Sequence, residues 1–157
     1  MVRVLFVCLG NICRSPTAHG VFQAMVDARG LSDRIEVDSA GTAAWHVGKS
    51  PDSRSVNAAA ERGYDLSRLR ARQVVAEDFE YYDYVLAMDS ENLSNLKNLR
   101  NTGVEPQLFL QAFARAYTES EVPDPYYGGT SGFEHVLDLI EDASAALLDE
   151  IVAKTRA

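Results

Sequence analysis

The sequence predicts a single-domain, three-layer α/β/α sandwich built on a central, mainly four-stranded parallel sheet. Three observations carry that reading. Short apolar runs alternate with longer amphipathic ones along the 157 residues. The short runs are nearly continuous in apolar residues, as strands buried on both faces are. No repeat, low-complexity run or linker interrupts them, so one domain is expected over residues 1–157. In such sheets ligands bind outside the carboxyl ends of the strands.

The elements follow in order. Val2–Cys8 reads as a buried strand. Pro16–Arg29 reads as a helix with Ala18, Val21, Phe22, Met25 and Val26 on one side and Gly30 as its stop. Ile35–Ala40 is a second strand ending at Gly41, and a polar loop runs from Thr42 to Asp52. Ser53–Arg62 is helical, with Asp52 or Ser53 as cap and Gly63 as stop. A basic, irregular stretch holding Arg68, Arg70 and Arg72 leads to a short helix over Ala76–Tyr82. Tyr84–Met88 is a third strand closed by Asp89-Ser90. Leu93, Leu96 and Leu99 mark a helix ending near Asn101–Gly103, and Gln107–Leu110 reads as a fourth strand. The last helix opens on a capping box of Ser131 and Glu134. Its buried stripe is Phe133, Val136, Leu137, Ile140, Leu147, Leu148 and Ile151.

Composition narrows the function classes. A net charge of −8 argues against a general nucleic-acid or membrane-surface binder, so no nucleic acid and no membrane are expected as partners. The stretch Val2–Leu9 is too short to span a bilayer and meets Gly10-Asn11 instead of a small-residue cleavage site. Two cysteines in one loop are no extracellular disulfide framework, so a cytoplasmic protein is expected. No histidine has metal-ligand spacing, and no nucleotide-binding G-x-x-x-x-G-K-[ST] occurs; no metal and no cofactor are expected.

The chemistry concentrates in Cys8-Leu-Gly-Asn-Ile-Cys-Arg14-Ser15-Pro16. A strand ends at a cysteine, a tight loop follows, and a proline opens a helix. The loop N–H groups of Leu9, Gly10, Asn11, Ile12 and Cys13 converge where the new helix points its positive end, making an N-terminal phosphate-binding loop. The same partial charges favour a thiolate at Cys8. Arg14 adds a planar fork of donors matched to phosphate oxygens. A thiolate attacking phosphorus makes a phosphocysteine, and the leaving oxygen then needs a proton. Asp124, stiffened by Pro123 and Pro125 and shielded by Tyr126 and Tyr127, is a candidate donor once combined with the thiol loop; alone it reads first as a turn residue.

These residues carry a resemblance. The loop, together with Asp124-Pro125-Tyr126-Tyr127, resembles the low-molecular-weight protein tyrosine phosphatases. Asp38-Ser39-Ala40-Gly41, Trp45-His46-Val47-Gly48, Ala71-Arg72-Gln73 and Ala87-Met88-Asp89 also fall in the family's order. The resemblance implies Cys8 as nucleophile, Arg14 as phosphate and transition-state clamp, and Asp124 as general acid and then base. It implies that Ser15 donates to the Cys8 sulfur and that Asn11 braces the loop by side-chain hydrogen bonds, with Ser39 as its partner. From the residues alone, Ser15 reads as a helix cap and Asn11 as a turn residue.

The family's pocket is deep and takes aryl phosphates, with Ile12, Trp45, Tyr126 and Tyr127 as its walls. For Trp45, core burial is the alternative to an exposed loop aromatic. His46, next to Trp45, reads as a solvated loop residue, with tuning of the pocket as the alternative. Relatives acting on phosphoarginine tend to carry threonine where Ile12 stands, so phosphotyrosine proteins are the expected substrates. Bacterial relatives point to a cognate tyrosine kinase as partner and leave a monomer or weak self-association as the assembly. Phosphorylation of Tyr126 and Tyr127 is a family-derived possibility. Cys13 is open to two readings: a disulfide partner that protects Cys8 reversibly, or a packed thiol under the loop. The rivals fare worse. A thiol-linked arsenate reductase needs further cysteines after Cys13, and a binding-only relic has no reason to keep Cys8, Arg14 and Asp124.

Overall fold

A computed structural model describes residues 1–126 and 130–155. Four parallel strands lie in the order β2-β1-β3-β4: β1 (Val2–Cys8), β2 (Ile35–Gly41), β3 (Tyr84–Ala87) and β4 (Gln107–Leu108). The alternation of side chains along β1 sorts the core into two layers. Val4, Phe6 and Cys8 face α1 (Arg14–Ala28), α2 (Ser53–Glu61), α5 (Phe109–Phe113) and α6 (Thr130–Thr155). Leu5 and Val7 face α3 (Asp78–Tyr81) and α4 (Ser90–Leu99). The three-layer α/β/α sandwich is therefore the observed architecture.

Phe6 anchors the larger layer. Its ring meets Phe22 and Phe109 edge-on at 5.8 and 5.1 Å, a geometry that adds to burial because ring edges and faces carry opposite partial charge. The apolar stripe of α6 is buried from Phe133 to Ile151 and packs on α1. Both expected glycine stops hold: Gly30 and Gly63 follow α1 and α2 with φ of +68° and +89°. Asp52, not Ser53, caps α2, its side chain accepting from Arg54 N–H.

Several boundaries differ from the sequence reading. The first helix begins at Arg14, two residues before Pro16; proline is tolerated there because N–H groups of a first turn have no intrahelical acceptor. Ser15 thus lies inside α1 and is not its cap. The fourth strand stops after two residues and the chain turns helical at Phe109, since Phe109, Leu110 and Phe113 share a face that the core buries. The helix read over Ala76–Tyr82 contracts to Asp78–Tyr81. Ser131 lies within α6 and is no cap, while the Glu134 carboxylate accepts from Arg62 Nη2 at 2.8 Å. Among the described residues no helix is long and apolar enough to cross a membrane.

Candidate active site

Cys8 ends β1, 3% exposed, and residues 9–13 carry the chain directly into α1. The loop's carbonyls are tied outward. Cys8 O accepts from Thr42 N–H, Leu9 O from Ala43 N–H, and Ile12 O from Asp52 N–H, at 2.8–2.9 Å. The N–H groups of residues 9–14 have no acceptor among the described residues. With acceptors turned out and donors left over, the loop is a nest for an anion at the positive end of α1.

Asn11 makes that curl with φ +56°, the one non-glycine residue of the described chain in the left-handed region, and is buried. Its amide orientation is fixed by chemistry: Oδ1 accepts from the backbone N–H of Arg72 at 3.0 Å, so Nδ2 is the end facing Ser15 Oγ at 2.8 Å. Ser15, already accepting from Asn11, has its own hydrogen left for the Cys8 sulfur at 3.0 Å; the alternative acceptor, Ala40 O, is at 3.4 Å. The expected Asn11–Ser39 bond is absent. Ser39 Oγ instead meets His19 Nδ1 at 3.0 Å, because the N–H of Arg72 reaches Asn11 first.

Arg14 is buried and half occupied. Nη1 donates to Asp89 Oδ2 at 2.7 Å and to Val122 O at 3.0 Å, whereas Nη2 lies 3.8 Å from Asp124 Oδ2. Burial works against its charge, but Cys8, Asp89 and Asp124 outweigh burial and hold the guanidinium above its ordinary pKa. Asp124 stands at the rim, its side chain 39% exposed, with Oδ1 accepting from Tyr126 N–H at 3.0 Å.

Cys8, Leu9, Gly10, Ile12, Cys13, Arg14, Trp45, His46, Asp124 and Tyr126 line one cavity of about 160 Å³. Trp45 is 70% exposed, an aromatic wall and not a core residue. Tyr127 lies outside the described residues. Among the described residues no cluster of histidine, cysteine, aspartate or glutamate is arranged to hold a metal.

The family model for low molecular weight phosphotyrosine protein phosphatases matches residues 3–157. The chain belongs to this family. A Synechocystis relative named for the same activity is 45% identical over 152 residues, covering 96% of each chain. A protein tyrosine phosphatase of Entamoeba histolytica, solved with Hepes in its active site, superposes with a TM-score of 0.93 at 37% identity, covering 99% of each chain. A Drosophila arginine phosphatase superposes at 0.87 and 31% identity, covering 96% of this chain and 98% of its own.

The sequence reading gave Asp89, Arg72 and Gly41 no role in this site. Asp89 divides its carboxylate, one oxygen capping α4 through Asn92 N–H at 2.8 Å and the other gripping Arg14. Its position after a parallel strand, at the same end as Cys8, was the available signal. His46 lines the same cavity as Cys8 and Trp45. Arg72 touches Asn11 through its backbone N–H, so its side chain carries no mark of that contact.

Gly41 is required by close approach. A Cβ there would stand 2.7 Å from Leu9 O and 3.1 Å from Asn11 N, so the loop rests directly on the end of β2. Gly41→Ala is expected to lower kcat/KM by about 10-fold or more by shifting the loop by a fraction of an ångström. Steady-state kinetics beside a thermal melt would check it, activity falling while the melt stays cooperative.

Burial pushes the Cys13 thiol up to about 12. Burial does the same for the phenols of Tyr64 and Tyr82, both to about 12, and raises that of Tyr84. The folded state therefore holds these protons more tightly than the unfolded chain. Their contribution to stability is whole below pH 9.0, the ordinary value for the thiol, and is lost as pH rises toward about 12. Urea unfolding at about pH 8 and about pH 10.5 should show the midpoint falling on the alkaline side.

Proposed function

We propose that this phosphatase hydrolyses phosphotyrosine in proteins through a phosphocysteine on Cys8. The reading is carried by one observation: the N–H groups of residues 9–14 have no acceptor among the described residues, and Cys8, Arg14 and Asp124 line the same cavity. The sulfur attacks phosphorus in line while the bond from phosphorus to the phenolic oxygen breaks. Asp124 gives that oxygen its proton, and Arg14 with the loop amides holds the three equatorial oxygens as charge spreads over them. Asp124, now a carboxylate, takes a proton from a water that attacks the phosphocysteine. The S–P bond breaks, and the Ser15 hydroxyl at 3.0 Å steadies the departing sulfur.

Ile12, Trp45 and Tyr126 give the pocket apolar walls suited to a flat aryl ester. The Drosophila neighbour, named an arginine phosphatase, makes phosphoarginine the competing substrate class. Quenched-flow labelling with radioactive phosphotyrosine peptide, without added metal, tests the proposal. Label on Cys8, and turnover of phosphotyrosine but not of phosphoserine or phosphoarginine peptides, is the expected result; label elsewhere overturns it.

The same reading includes a cytoplasmic setting, in which Cys8 stays reduced, and tyrosine-phosphorylated partners, a cognate kinase among them, acting on a monomer or weak self-associate. It also includes redox protection, since Cys8 and Cys13 are free thiols on one cavity. Peroxide inactivation should be reversed by thiol reductant in the wild type and be permanent in Cys13→Ala; equal recovery of both would remove the role.

A further inference from the structure

Arg54 lies outside the machinery described so far, yet it touches the parts that must stay aligned. Asp52 grips its guanidinium at both ends, accepting from Nε at 3.0 Å and from Nη2 at 2.9 Å. The backbone N–H of Asp52 donates in turn to Ile12 O at 2.8 Å, inside the phosphate loop. The guanidinium also stacks on two rings, 5.2 Å from the centre of Tyr126 and 4.9 Å from that of Phe133. Tyr126 donates its N–H to the Asp124 carboxylate at 3.0 Å. Direct contacts thus run from the loop that holds phosphate, through Asp52, Arg54 and Tyr126, to the acid, with Phe133 of α6 as backstop.

The acid needs such a brace. Pro123, Asp124 and Pro125 make no backbone–backbone hydrogen bond among the described residues, and the link from Asp124 to Arg14 spans 3.8 Å. A flat cation with a two-pronged grip suits the task; a lysine ammonium has neither the plane to stack nor the fork to pair. We propose that Arg54 is a positioning residue, holding the segment that carries Asp124 in register with the phosphate loop. The proposal rests on Asp124 being the general acid.

Leaving-group dependence tests it, because an acid matters most when the departing oxygen is basic. Phenyl phosphate releases a phenol of pKa about 10, whereas p-nitrophenyl phosphate releases a far weaker base. In Arg54→Ala, kcat/KM for phenyl phosphate should fall about 10- to 100-fold, and that for p-nitrophenyl phosphate by less than about threefold. In Asp124→Ala the further change Arg54→Ala should cost almost nothing, since its effect runs through the missing acid. Arg54→Met, which keeps an aliphatic contact with both rings, should give the same pattern and decides the matter if the alanine variant does not fold. Equal losses on both esters, or an undiminished Arg54 effect in the double variant, overturns the proposal. If Asp124→Ala shows leaving-group dependence and the Arg54 variants do not, the acid assignment stands and the Arg54 assignment alone fails. If Asp124→Ala shows none, the acid assignment fails and takes the proposal with it.

Discussion

Cys8→Ser is expected to remove turnover of aryl phosphates by at least about 10⁴-fold while leaving the fold and phosphate binding in place. The exchange is nearly isosteric at a position only 3% exposed, so β1 and the loop have little reason to move. The loop amides and Arg14 belong to other residues and still hold an anion. What disappears is the chemistry. A hydroxyl there has no base within hydrogen-bonding reach among the described residues, and its oxygen would be a poorer leaving group in the second half of the cycle. Steady-state assays with p-nitrophenyl phosphate, with calorimetric titration of inorganic phosphate, separate the two effects. Turnover within tenfold of wild type, at unchanged phosphate affinity, would mean that sulfur is not the nucleophile.

Asp124→Ala is expected to slow phosphotyrosine hydrolysis by about 10²–10⁴-fold, the range a positioned general acid supplies. In the proposed mechanism the residue serves both halves of the cycle, so removing it exposes whichever step then limits. With an ester that leaves readily the first half needs no proton, and the remaining deficit reports attack of water on the phosphocysteine. A burst of phenol release, followed by slow turnover, is therefore the form the loss should take with p-nitrophenyl phosphate. A slowed burst of the same size as the steady-state loss would place Asp124 in binding and not in proton transfer. Asn, which keeps the shape but has no acidic proton, should behave as alanine does.

The parts of this site that are contiguous in sequence were readable, and the parts that converge from afar were not. Cys8 to Pro16 announces itself because one short segment contains a buried strand end, a run of loop donors and a helix start. Asp124 needed the loop before its two prolines meant anything. Asp89 read only as the close of the third strand, and neither its capping of α4 nor its reach 75 residues back to Arg14 left a sign in the local pattern. The resemblance made Asn11 a brace partnered by Ser39; its side chain instead meets Ser15 and the backbone N–H of Arg72, a donor that carries no side-chain signature. Phe109 and Leu110, read as strand, failed for another reason. A short apolar run fits a buried strand as well as a buried helical turn, and only the layer around Phe6 chooses between them. Gly41 read as a strand terminus because contact across the sheet leaves no trace in a local pattern.

The placement of β1 between two neighbours, with every residue from Val4 to Cys8 buried, sets how the catalyst fails. An inner strand cannot fray; its amides open to exchange only when the whole domain does. Cys8, the proposed nucleophile, is therefore as durable as the molecule itself, whereas Asp124, the proposed proton donor, hangs from an irregular stretch. Heat or denaturant should thus strip such a catalyst of its slow, acid-assisted substrates before its easy ones, a graded decline in selectivity that precedes the cooperative collapse.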